Sequence, residues 1–163
     1  MDAVQYFQTW VVGETVQGRV MMVVGISLSI ATVLIFRSEN PLLRGMLIPV
    51  IVLVAMNLGY GSVLTSRPAT SQKVEATFRQ DQERAVEQQI TKTAKDERYY
   101  ASARPTWAIL TAISVLLFFI FKDDYYRGLS LGLTAMFFGA LLIDSFLHHR
   151  LLAYMEGLDG LIR

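Results

Sequence analysis

Four stretches of the chain carry no charged residue: residues 20–36 (17 residues), 45–66 (22), 105–121 (17) and 128–143 (16). A helix needs roughly 17–25 residues to cross about 30 Å of hydrocarbon. Backbone polar groups in oil must be satisfied within the segment or in a closed barrel. The runs are continuously apolar with no alternation of period two, which excludes a barrel reading. The expected fold is therefore an all-α integral membrane protein with four transmembrane helices. Arg19, Arg37, Arg104 and Lys122 flank the shorter runs and can reach outward to lengthen them. The fourth run reaches 20 residues when Asp144 is placed near the interface and the helix continues to Leu147.

Local signals agree with these limits. Asn40-Pro41 is an N-cap followed by proline at the first helical position. Pro105 is expected to open the third span. Asp123 and Asp124 suit the positive end of a fourth helix. Pro49, early in the second run, removes the bond to the carbonyl of Gly45 and predicts a local kink.

Lysine and arginine counts set the orientation. Eleven of the 15 basic residues fall on the side that holds both chain ends and the segment 67–104; Arg37, Arg44, Lys122 and Arg127 fall on the other. The expected location is a bacterial inner membrane, multi-pass, with both termini cytoplasmic. The start, Met1-Asp2-Ala3-Val4, has no basic residue before Arg19, so it does not read as a cleaved signal peptide.

The chain divides into residues 1–66, an interfacial helix plus the first two spans; 67–104, a charged cytoplasmic segment; and 105–163, the last two spans and a tail. Residues 1–13 place Val4, Phe7 and Val11 on one face, beside Tyr6 and Trp10, and predict a helix lying in the headgroup layer. Segment 67–104 has no glycine, and its one proline is Pro68. It predicts an amphipathic helix over 71–94, with the stripe Val74, Phe78, Val86 and Ile90 and a turn near 95–98. That stripe either packs on the protein itself or docks a cytoplasmic protein.

The fourth run carries Gly128, Gly132, Ala135 and Gly139 on one smooth face. Small side chains let helix backbones approach in lipid. Gly25-x-x-x-Ser29, Ala55-x-x-x-Gly59 and Ala108-x-x-x-Ala112 repeat the pattern on the other runs.

Three polar side chains stand out in or beside the apolar runs. Asn57 lies deep in the second run and should hydrogen-bond another helix, with Thr111 and Ser114 as partners. Asp144 and His148 are one turn apart and are expected to pair with each other, closing the helix end.

There are no cysteines and two histidines, and no catalytic, cofactor or metal-binding constellation is expected. A net charge of +1 gives no reason to expect nucleic acid. Gly59-Tyr60-Gly61 is similar to the filter triplet of potassium channels. It sits near the end of a continuous apolar run without a preceding Thr-Val, so the likeness stops at three residues.

The architecture is similar to that of colicin-type immunity proteins, which are small, with several membrane helices and short loops. The first functional expectation is a non-enzymatic protein acting by helix association in the bilayer and through a cytoplasmic docking helix. Its partners would be lipid, a second copy, or another membrane or cytoplasmic protein. The alternative is a homo-oligomeric channel or transport subunit with Asn57 and Asp144 lining the path.

Overall fold

A computed structural model describes residues 3–162 as five helices. They are α1 (Ala3–Arg37), α2 (Pro41–Thr65), α3 (Arg67–Gln80), α4 (Gln82–Ile120) and α5 (Asp124–Ile162). Four of the helical stretches are long and apolar enough to cross a membrane. The 39 residues of α4 and of α5 run to about 58 Å at the standard rise, well beyond one hydrocarbon layer.

Short polar residues set the breaks. Asn40 Oδ1 accepts from the Leu42 N–H at 2.9 Å and starts α2 with Pro41 behind it. Asp81 is extended (φ −150°, ψ 94°), and its carboxylate accepts from the Arg84 N–H at 3.0 Å. Asp123 accepts from the Tyr125 and Tyr126 N–H groups at 2.9 and 3.3 Å and opens α5. Each satisfies donors that a helix start leaves orphaned.

The long helices pack as a zigzag. α2 lies against both α1 and α5, and α4 lies against α5. Glycines bring α2 and α5 together: Gly45 faces the backbone of Tyr125 and Leu129, Gly128 faces that of Leu42, and Gly132 meets Met46 and Pro49. Pro49 is thereby buried in the crossing. Ala135, expected on the same smooth face, is exposed.

Beyond the apolar stretches, the basic end of the bundle has its own core. Phe7 and Val11 of α1, Phe78 of α3, Ala85 and Val86 of α4, and Tyr154 and Leu158 of α5 are buried together. Trp10 and Tyr6 both stack on Tyr154, at 4.7 and 5.8 Å between ring centroids, and the Tyr6 hydroxyl donates to the Ala153 carbonyl.

This core revises three expectations. Residues 3–13 are not a separate helix; they are the opening turns of α1, and Phe7 and Val11 are covered by protein. Residues 1 and 2 of that expected segment, and Arg163 of the tail, lie outside the described residues. The helix of 71–94 is instead two helices broken at Asp81, and residues 95–98 are helical. Asp81 ends α3 and caps α4, whereas 95–98 (Lys-Asp-Glu-Arg) contains no residue that stops a helix. The boundary at 104/105 therefore falls inside α4, which passes through Pro105. One lost backbone bond is tolerated there because side chains on both sides of the proline, Arg104 and Trp107, are held by α5.

Candidate functional site

Tyr100, Arg104 and Trp107 are spaced at about one helical turn along α4 and face α5. Arg104 donates to His148 Nδ1 at 2.8 Å. A guanidinium can only donate, so Nδ1 accepts and the ring proton sits on Nε2. The Trp107 indole N–H donates to Asp144 Oδ2 at 2.8 Å, and its ring stacks on Phe137 at 6.0 Å. Asp144 and His148 thus share a face, but each takes its partner from α4. The expected pairing of the two is replaced by cross-helix bonds, because α4 offers donors one turn apart at the matching heights.

Beyond its bond to Trp107, Asp144 lines a lateral cavity of about 330 Å³. Tyr60, Tyr99 and Trp107 give it aromatic walls, and Met21, Met56 and Ile143 complete the apolar part. Ala55 and Gly59 lie along its α2 side, and a methyl group added at Gly59 would meet nothing within 4 Å. That small-residue face of α2 leaves space where the other glycine faces bring helices together. Among the described residues no basic side chain forms an ion pair with Asp144.

Asn57 is buried, and its amide donates to the Leu53 carbonyl of its own helix at 2.9 Å. Thr111 and Ser114, the expected partners, donate to Trp107 and Leu110 carbonyls within α4. The zigzag explains the difference: α4 packs on α5 and makes no extensive contact with α2. Asn57 instead lines a second lateral cavity, about 470 Å³, between α1 and α5. Asn57 and Asp144 therefore face different cavities.

A third feature sits where α1, α3, α4 and α5 meet. Glu14 is buried and lies 3.2 Å from the Arg67 guanidinium, which also lies over the Trp10 ring. Lys92, Asp96 and Arg150 border the same small space. Glu14 precedes the first uncharged run by six residues. Burial pushes its carboxyl above the ordinary 4.5; Arg67, Arg150 and Lys92 draw it down, and Asp96 adds to the rise. A carboxyl with a raised folded value binds its proton more tightly in the folded state. Its contribution is full below the unfolded value and is lost as pH climbs through the raised one. Glu14→Gln is expected to flatten the decline in stability as pH rises above 4.5. Thermal melting in mild detergent across that window checks it; an unchanged slope in the variant would place the titrating group elsewhere. Sequence reasoning missed this cluster because Glu14, Arg67 and Arg150 are far apart in the chain; the two arginines entered only as charges for orientation, and Glu14 did not enter at all.

The stripe Val74, Phe78, Val86 and Ile90 faces inward. Phe78 and Val86 are in the core of the basic end, and Val74 and Ile90 pack against it. No group of three or more potential metal ligands occurs among the described residues. Comparison with protein-family models, curated proteins and solved structures finds no match.

Proposed function

We propose that the chain is a non-enzymatic, multi-pass protein of a bacterial inner membrane, with both ends cytoplasmic, that binds the cationic end of a membrane-dissolved amphiphile at Asp144. The observation that carries the reading is the conjunction in one cavity of three aromatic side chains and a carboxylate that has no cationic partner among the described residues. A carboxylate placed within or at the edge of a span is costly and marks function more often than packing. Aromatic rings around a cation add about 0.5–2 kcal/mol each, and the cavity's apolar remainder suits the ligand's hydrocarbon part. Because α2 and α4 make no extensive contact, a ligand would enter from the bilayer between them.

The test uses tetraphenylphosphonium as a probe and Trp107 as reporter. The chain has two tryptophans, so Trp10→Phe leaves the one that touches Asp144. Saturable quenching is expected in proteoliposomes. Asp144→Asn should weaken it by tenfold or more, the effect of losing about 1.4 kcal/mol. Tyr60→Leu should weaken it about 2- to 30-fold, the range of one cation–π contact. Acidification should also weaken it, as the carboxylate takes up a proton. Equal affinity in wild type and Asp144→Asn would overturn the proposal.

A second reading, helix association in the bilayer, keeps one supporting observation. Ala108 and Ala112 form a smooth face on α4 that is exposed. A second copy or a partner helix could approach there. The stripe on 67–104 gives the docking role less support, because Phe78 and Val86 are buried in the internal core and Val74 and Ile90 pack against it. The homo-oligomeric channel alternative, in which copies surround the path, has no supporting observation in the cavities of one chain, where Asn57 and Asp144 line different cavities.

A further inference from the structure

The cavity on the Asn57 side has a different chemistry. Its walls are Val16, Val20 and Val24 of α1 and Leu142 and Phe146 of α5, all exposed along one side. At its basic end lies Arg150. The Arg150 guanidinium donates to the Gln17 side-chain oxygen at 3.0 Å and to the Trp10 carbonyl at 3.2 Å. Both acceptors are neutral, so they hold the group in place without cancelling its charge. The nearby Glu14 has its ion pair with Arg67 and attracts Arg150 from a distance, with no Glu14–Arg150 ion pair among the described residues. Gly13 is what allows this pose: a methyl group there would overlap the Arg150 guanidinium. Two of the five guanidinium N–H groups are used by these bonds, and the remainder can serve a phosphate.

The dimensions match a lipid. The groove borders α1 between Gly13 and Leu28, about 22 Å apart at the standard rise. That covers a headgroup level plus one leaflet, which is half of about 30 Å. We infer that this groove holds an acyl chain of an anionic phospholipid, with the phosphate on Arg150. The apolar wall, the cation at one end only, and the position of that cation on the side read as cytoplasmic all select the same ligand class. The two cavities share Met21 and Ile143 as lining, but their polar groups, Arg150 here and Asp144 there, are separate, so the failure of one reading is distinguishable from the failure of the other.

Native mass spectrometry of the full chain in mild detergent, titrated with phosphatidylglycerol and with phosphatidylcholine, tests it. One phosphatidylglycerol per chain should be retained, about fivefold better than phosphatidylcholine, the worth of one basic side chain facing an anionic lipid. Arg150→Gln should remove that preference. Val24→Trp, which fills the groove at an exposed position, should reduce retention of both lipids and leaves the test intact if the Arg150 variant does not fold. Inorganic phosphate should not compete; displacement by it would mean the headgroup site works without the groove. Equal retention of the two lipids by wild type, unchanged retention in Val24→Trp, or a dimer that Val24→Trp dissolves would each overturn the inference, the last in favour of a second copy as occupant.

Discussion

Gly128→Ala should lower the melting temperature in detergent by about 6–12 °C, and Gly128→Leu should separate α2 from α5 altogether. A methyl group at 128 falls on the main-chain carbonyl of Leu42, and one at Gly45 falls on that of Tyr125. Overpacking usually costs about 1–3 kcal/mol because side chains can yield. Here the obstacle is backbone on the facing helix, so a whole helix has to shift, and the cost belongs at or above about 3 kcal/mol. At about 2–4 °C per kcal/mol for a chain of this size, that gives the stated range. Gly45→Ala should behave alike. The double variant should cost less than the sum, because the first substitution already opens the shared crossing. Gly59→Ala is the control: it meets open space and removes glycine's helix penalty of about 1 kcal/mol, so it should be neutral or stabilising. A Gly128→Ala protein that melts with wild type would show that α2 and α5 do not approach as closely as described.

Phe78→Ala should destabilise the basic end of the bundle by about 3–5 kcal/mol, the range for emptying a buried aromatic site. Phe78 is 3% exposed and packs on Phe7 at 5.4 Å between ring centroids, joining α3 to α1. α3 has only 14 residues, too few to persist as an isolated helix in water, so its order depends on this contact. Hydrogen exchange should show residues 67–80 losing protection first, while the apolar part of α2 keeps it. The contrasting change is Tyr154→Phe. Tyr154 is equally buried, but its hydroxyl finds no hydrogen-bond partner among the described residues. Removing an unsatisfied buried hydroxyl restores lost desolvation energy, so this variant should equal or exceed wild type in stability. Full protection of α3 in Phe78→Ala would mean that α3 is held by its other contacts, such as the Gln8–Glu75 hydrogen bond.

How far the sequence could be read depended on the range of the interaction. Chain length without charge is a local property, and so is a cap: the four apolar runs and the start at Asn40-Pro41 follow from residues adjacent in the chain. Segment 1–13 shows the limit. Its apolar face was visible at helical spacing, but spacing does not distinguish burial in lipid from burial in protein. The break at Asp81 was hidden by an apolar stripe that continues on both sides of it.

The sequence by itself determined that most of this chain must be helical, where its apolar lengths lie, and which few polar groups would need partners. Only the tertiary structure decided which partners those are. It gave Asp144 to Trp107 and His148 to Arg104. It turned Asn57 and Asp144 toward different cavities and folded Phe78 and Val86 inward. The physical reason is that hydrophobicity and capping act within a few residues, whereas the choice of facing helix depends on where small residues at distant positions let backbones meet.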